Sequence, residues 1–142
     1  VPLTLAVGMA SLPPMHRLAV RIYYEDTDLA GVVYHANYLR FIERARTEWA
    51  RERGLDQTRL REAEGIVLAV RRIEADYLAP ARFDDLLEVT TRPVEGTGAR
   101  LLLHQEVRRD GALLFAARVT VVAMDLAGRP RRLPAAIRGM LA

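Results

Sequence analysis

The segment between Asn37 and Gly54 constrains this chain more than any other. Tyr38, Phe41, Ile42, Ala45 and Trp49 recur at three- and four-residue spacing, while Glu43, Arg44, Arg46, Glu48 and Arg51 fall on the other side. That periodicity predicts an amphipathic helix of about five turns with a wide apolar stripe. Asn37 is placed to cap its start and Gly54 to end it. A stripe this broad has to be covered, and most of the remaining chain reads as strand. Residues 17–24 alternate, with Leu18, Val20 and Ile22 on one face. After a short second helix over residues 56–64, capped by Asp56, come strand patterns at 66–77, 86–94, 101–108 and 113–124. A turn at residues 95–98 closes the second of these, and Asp110-Gly111 joins the last two as a hairpin. Pro130 and Pro134 mark the exit, and residues 135–141 suit a final helical turn. The expected architecture is α+β: one long helix wrapped by a five-stranded antiparallel sheet.

Composition narrows the class. The chain has 142 residues, 51% of them hydrophobic, which is enough for one domain with a real core. Residues 1–14 contain Pro13-Pro14 and no charged side chain, and Met15 follows just before the first strand pattern. The expectation is a flexible N-terminal extension over 1–14, a native start at Met15 and a single domain over 15–142. Residues 3–10 are apolar but no basic residue precedes them, which makes a poor secretory signal. No apolar run reaches the length of a membrane span. There is no cysteine, so disulfides, thiolate zinc sites and cysteine nucleophiles are excluded, and a cytoplasmic setting fits. Every basic residue apart from histidine is arginine, yet the net charge is only +3 and acids are interspersed throughout. Without a basic stripe and exposed aromatics, nucleic acid is not the expected partner.

The chemistry concentrates between the first strand and the long helix. Acids, a glycine, a histidine and an asparagine crowd into residues 25–37, where polar groups need partners or a task. Asp28 precedes Gly31 by three residues, and the helix starts soon after. The first amides of a helix lack internal partners and lie at its positive pole, so an oxyanion is stabilised there. A carboxylate one loop upstream can attack a carbonyl carbon or aim water at it. Together these parts suit hydrolysis of an activated acyl group. The bland reading of Asp28 is a turn-capping side chain.

The run Tyr23-Tyr24-Glu25-Asp26-Thr27-Asp28, followed by Gly31-Val32-Val33-Tyr34-His35, resembles the signature of hot-dog-fold acyl-CoA thioesterases of the 4-hydroxybenzoyl-CoA thioesterase type. It is most similar to the Tol–Pal-associated acyl-CoA thioesterase group. The likeness continues through Asn37-Tyr38, the helix segment Glu43-Arg44-Ala45-Arg46-Thr47-Glu48, and a later patch from Tyr77 to Asp85. It implies the hot-dog fold and hydrolysis of an acyl-CoA, or acyl carrier protein, thioester, with no cofactor and no metal. It also implies that Asp28 is the catalytic carboxylate and that the His35 amide polarises the thioester carbonyl, with the imidazole assisting water or the leaving thiolate. Gly31 would admit close approach of substrate, and Val32 and Asn37 would complete the oxyanion and substrate-binding set. In the 4-hydroxybenzoyl-CoA enzyme a basic turn before the fourth strand helps bind the CoA phosphates. Here that turn carries only Arg100, so Arg82 and the cluster Arg129, Arg131 and Arg132 join it as phosphate candidates. The family's subunits pair into dimers through a continuous sheet, with active sites at the interface, and the dimers commonly pair into tetramers. The expected assembly is therefore a homodimer pairing into a homotetramer, with peripheral association with envelope proteins as a further partner expectation.

Other readings stand beside this one. Asp26 and Glu25 read as loop or helix-terminus support, and Asn37 most simply as a cap. Tyr24 and Tyr38 read as packing residues with satisfied hydroxyls. Glu43 and Glu48 are alternative catalytic acids on the helix, although salt bridges with neighbouring arginines explain them more simply. A non-catalytic acyl-binding or envelope-docking module, or a hydratase on the same fold, is the competing function.

Overall fold

The computed structural model describes residues 15–139. The expected extension over 1–14 and the end of the expected final turn lie outside them. The elements are β1 (His16–Arg21), a 3-10 turn (Tyr24–Asp26), α1 (Asn37–Glu52), α2 (Gln57–Glu64), β2 (Ile66–Tyr77), β3 (Leu86–Gly96), β4 (Leu101–Arg109), β5 (Ala112–Asp125), β6 (Pro130–Arg131) and α3 (Ala135–Arg138). No helix among the described residues is long and apolar enough to cross a membrane.

The sheet order is β1-β3-β4-β5-β2, every pairing antiparallel, with β6 added to β5. β1 and β2 therefore form opposite edges, and α1 connects them. A helix joining the two edges of one sheet has to cross its face. The stripe that demands this is the expected one: Tyr38, Phe41, Ile42, Ala45 and Trp49 are all buried. They meet Val20, Leu87, Val89, Leu103, Val107 and Phe115 of the sheet in one contiguous core. Burying each large side chain of this kind stabilises the fold by roughly 1.5–3 kcal/mol relative to exposure.

The local signals mostly act as their chemistry predicts. Asp110 (φ 49°) and Gly111 (φ 83°) both take the left-handed backbone that a two-residue hairpin needs. The Asp56 carboxylate accepts from the Arg59 amide at 3.0 Å and caps α2. Two details depart from expectation. β1 stops at Arg21, because the Asp26 carboxylate captures the Tyr23 amide at 2.8 Å and closes the 3-10 turn. The sheet also gains the two-residue β6, whose Pro130 and Arg131 align with Met124 and Ala123.

One polar knot sits inside the core. Gln105 is fully buried; its amide donates to the Ile42 carbonyl at 2.9 Å and the Thr91 hydroxyl at 2.8 Å. Its carbonyl accepts from the Arg46 guanidinium at 3.1 Å. Burial lowers the Arg46 pKa, which Glu43 partly counters. Gln105 thus fastens α1 to the sheet with every polar group engaged. Replacing it by methionine keeps the volume and strands these partners. Gln105→Met is expected to cost about 1–3 kcal/mol, read as a lower midpoint in urea unfolding; an unchanged midpoint would remove the knot's structural role.

Candidate active site

The strand-to-helix connection is a small hairpin welded to the start of α1. Thr27 and Val33 form an antiparallel bridge, and the Asp28 amide donates to the Val32 carbonyl at 2.9 Å. At the tip, Gly31 (φ 80°) donates to the Asp28 carbonyl at 3.0 Å. The left-handed backbone there explains the glycine. The Asp26 carbonyl accepts from both the Tyr34 amide and the Asn37 side-chain amide, each at 2.9 Å. Asn37 is therefore not the helix cap. It is the first residue of α1, 7% exposed, and its side chain points back to the loop; Ala36, already in helical conformation, precedes it without a side-chain cap.

Asp28 does what its bland reading proposed and keeps capacity in reserve. Oδ1 accepts from the Ala30 amide at 2.9 Å, an Asx turn that orients the carboxylate. Oδ2 has no donor among the described residues, and the side chain is exposed in the single subunit. At the helix start the Asn37 amide is spent on the Tyr34 carbonyl at 2.9 Å. The amides of His35 and Ala36 find no acceptor among the described residues. A free carboxylate oxygen and two free amides thus flank the same hairpin, with Asp28 and His35 exposed and Ala36 partly buried.

The loop leans on a second platform, which sequence reasoning did not assign. Val33 donates to the Ala81 carbonyl at 2.8 Å, and Val32 bridges Arg82. The Tyr38 hydroxyl accepts from the Ala81 amide at 3.1 Å and its ring stacks on Phe115. The platform is tied by Asp85, whose carboxylate accepts from the Arg82 amide at 2.8 Å and from the Arg109 guanidinium at 2.7 Å. Arg109 also reaches the Pro80 carbonyl at 3.3 Å. Asp84 turns the chain there with a left-handed backbone (φ 71°). The Asp84-Asp85 pair before a strand was a visible turn signal. Arg109, 24 residues further on, carried none.

The remaining candidates separate. Arg82 lies beside Val32 at the loop. Arg100 pairs with Glu95 at 3.8 Å, and Arg129 with Asp125 at 3.1 Å. Arg131 lies on β6, and the Arg132 guanidinium rests on Gly98, where an added Cβ would approach it to 2.9 Å. These four cluster at the opposite end of the sheet, since β5 pairs with Tyr77 near its start and with Ile66 and Arg131 near its end. The length of α1, about 24 Å, lies between the two ends. Glu48 pairs with Arg51, the kind of partner its non-catalytic reading expected, whereas Glu43 accepts from the Thr47 hydroxyl in place of an arginine. Tyr24 packs at the surface and outside the core: it is 80% exposed and stacks on Phe83.

Burial pushes the Asp85 carboxyl up, but the Arg82 amide and the Arg109 guanidinium outweigh it, and its pKa lies below the ordinary value. A depressed carboxylate contributes stability that is complete above the unfolded pKa of about 3.9 and is lost as pH falls through the folded value. Asp85→Asn should therefore lose less stability than wild type on acidification below about pH 4, measured as urea midpoints across that window. A variant whose midpoint falls as steeply as wild type would contradict the assignment.

Known proteins align with this geometry. The profile of the thioesterase-like superfamily matches residues 22–141. Acyl-CoA thioester hydrolase YbgC of Escherichia coli O6:H1 is 46% identical over 125 residues, covering 87% of this chain and 92% of that protein. A probable thioesterase from Bartonella henselae superposes with a TM-score of 0.82 at 39% identity, over 85% of this chain and 100% of the other. The 4-hydroxybenzoyl CoA thioesterase complexed with 4-hydroxybenzoyl CoA shares the fold, with a TM-score of 0.85 at 22% identity over 90% of this chain and 99% of that one. With the family profile matching most of its length and the overall fold in common, the chain is a hot-dog-fold member of the thioesterase-like superfamily.

Proposed function

We propose that Asp28 and the amides at the start of α1 carry out acyl-CoA thioester hydrolysis in this protein. The activity itself follows from family and relatives: the protein is a thioester hydrolase acting on acyl-CoA. The observation that carries the site assignment is that Asp28 Oδ2 lacks a donor, and the His35 and Ala36 amides lack acceptors, in one connection between β1 and α1. The thioester oxygen takes the His35 and Ala36 amides, where charge developing on it is stabilised. Asp28 attacks the carbonyl carbon or draws the proton from water, and the thiol departs. His35 contributes through its backbone, so His35→Ala should retain activity of the wild-type order. Asp28→Asn should lower thiol release roughly 10²–10⁴-fold across a panel of short, long and aromatic acyl-CoAs. Full activity in that variant would remove Asp28 from its role. In single-turnover hydrolysis in ¹⁸O water, label entering the Asp28 carboxylate would mark direct attack.

The assembly that completes the site is a dimer through β2, with dimers pairing into tetramers. β2 is an edge strand, and residues 71–77 of it are exposed. Two such edges pair antiparallel about a two-fold axis, setting the Tyr77 end of one beside the Ile66 end of the other. That juxtaposition supports two assignments. Arg100, Arg129, Arg131 and Arg132 approach the neighbouring copy's Asp28 and serve the CoA phosphates there, with Arg82 contributed by the same subunit as the carboxylate. A cavity of about 220 Å³, lined by Trp49, Ala50, Leu68, Val70, Leu101 and Ile137 with Glu43, Arg46, Thr47 and Gln57 at its polar side, would in that dimer lie toward the neighbouring copy's Asp28 and receive the acyl group. An apolar cavity of about 150 Å³ already admits benzene, which favours short or aromatic acyl groups. The activity profile against chain length tests this: a preference for long chains overturns it. The cytoplasm, where acyl-CoA is made and used, is the corresponding location.

A further inference from the structure

Tyr77 ends β2 where the edge strand meets the catalytic turn. Its backbone is fixed: it pairs with Phe115, and the next two amides, of Leu78 and Ala79, donate to the Leu114 carbonyl at 2.8 and 3.1 Å. Its ring meets Tyr38 and Phe115 edge-on, with centroids 5.5 and 5.0 Å apart, and lies 6.2 Å from the His35 ring. With backbone and ring held, the phenol has one direction left, and its hydroxyl donates to the His35 carbonyl at 2.9 Å.

We propose that Tyr77 is a positioning residue for thioester hydrolysis, its hydroxyl holding the His35 carbonyl so that the His35 and Ala36 amides stay aimed at the thioester oxygen. The proposal rests on the helix start being the oxyanion site. The upstream side of that turn is already pinned, by the Tyr34 amide on the Asp26 carbonyl. The downstream side is pinned by the Asn37 amide and the Asn37 side chain. The carbonyl that Tyr77 holds belongs to the peptide whose N–H is that of Ala36. Without the phenol, this peptide is free to rock between two fixed neighbours. Preorganised donors act because they need no reorientation when charge develops, so a rocking peptide loses that advantage. Accepting a hydrogen bond at its carbonyl also polarises the same peptide's N–H. Burial raises the Tyr77 pKa, so the hydroxyl remains a donor through neutral pH.

A purely structural tyrosine would serve only the aromatic cluster with Tyr38 and Phe115, and phenylalanine would replace it there. Tyr77→Phe is expected to lower kcat about tenfold, the size of one lost hydrogen bond, with KM and the unfolding midpoint unchanged. The deciding readout is the thioester carbonyl stretch of ¹³C-labelled acyl-CoA bound to the Asp28→Asn protein, followed by infrared difference spectroscopy. The bound carbonyl should shift to lower frequency than free acyl-CoA. In the Asp28→Asn, Tyr77→Phe protein, part of that shift should be lost. An equal shift in both proteins overturns the role of Tyr77 and leaves the oxyanion site standing. No shift in Asp28→Asn alone overturns the oxyanion site and the Tyr77 proposal together. A lower midpoint with an unchanged carbonyl frequency marks Tyr77 as structural only.

Discussion

The apolar stripe of α1 is the constraint from which the rest of the structure follows. Tyr38, Phe41, Ile42, Ala45 and Trp49 cannot be left in water, and among the described residues a single sheet is the one other large element available to cover them. Covering a helix of about 24 Å with one sheet requires strands that are long and twisted around it, and β2 and β5 run to 12 and 14 residues. Because α1 links the two edge strands, its start lies against one end of the sheet. The loop that delivers the chain into the helix is therefore trapped between that end and the turn before β3. Core packing fixes the site's location before any catalytic residue is chosen.

What converts location into a site is the way two carbonyls are used. The Asp26 carbonyl binds the Tyr34 amide and the Asn37 side chain, locking the loop to the helix. The Ala81 carbonyl binds the Val33 amide, locking the loop to the sheet. Each lock satisfies polar groups that a strand-to-helix transition would otherwise leave open. The amides left over are those of His35 and Ala36, and the carboxylate oxygen left over is Oδ2 of Asp28. Residues beyond the loop are recruited to keep it so: Asp85 and Arg109 tie down the Ala81 turn, and Tyr38 holds its amide. Surrounding structure spent on holding a few polar groups in place is what preorganisation requires.

The features legible in the sequence were those set by local chemistry. The helix stripe, the Asp110-Gly111 hairpin and the Asp56 cap each depend on residues a few positions apart; the polar connection with Asp28 and Gly31 was visible for the same reason, its folding into a hairpin was not. The sheet order was not legible, because it depends on which edge receives β2 after the helix has crossed. Asn37 shows how a local rule yields to a tertiary one: its side chain suits a cap, yet the Asp26 carbonyl takes it, and Asn37 becomes the first residue of the helix with Ala36 at the cap position. Arg109 and Tyr77 act on the loop from 24 and 42 residues away, through Asp85 and His35, and no spacing in the chain announces them. The basic cluster was visible, but its distance from Asp28 within one subunit appears only once β5 is seen to run between them.

That distance connects with the exposure around the loop. Leu29, Tyr24, Tyr34 and Tyr77 all remain substantially exposed, and they surround the same end of the sheet. Apolar groups gathered around free polar ones describe a surface made to be covered. Chemistry points the same way. Hydrogen bonds from two amides to a developing oxyanion are weakened when water competes, and strengthened when the site is dry. A single subunit leaves the Asp28 carboxylate and the His35 amide on exposed residues and the Ala36 amide on a partly buried one. Substrate alone covers the reacting atoms from one side. The unpaired edge of β2, running directly into Tyr77, is where a second copy would close the other side, bringing further basic residues to a loop that Arg82 adjoins. Under the proposed dimer, the exposed apolar rim, the open strand edge and the displaced basic cluster fit one arrangement, a site whose second wall another subunit would carry.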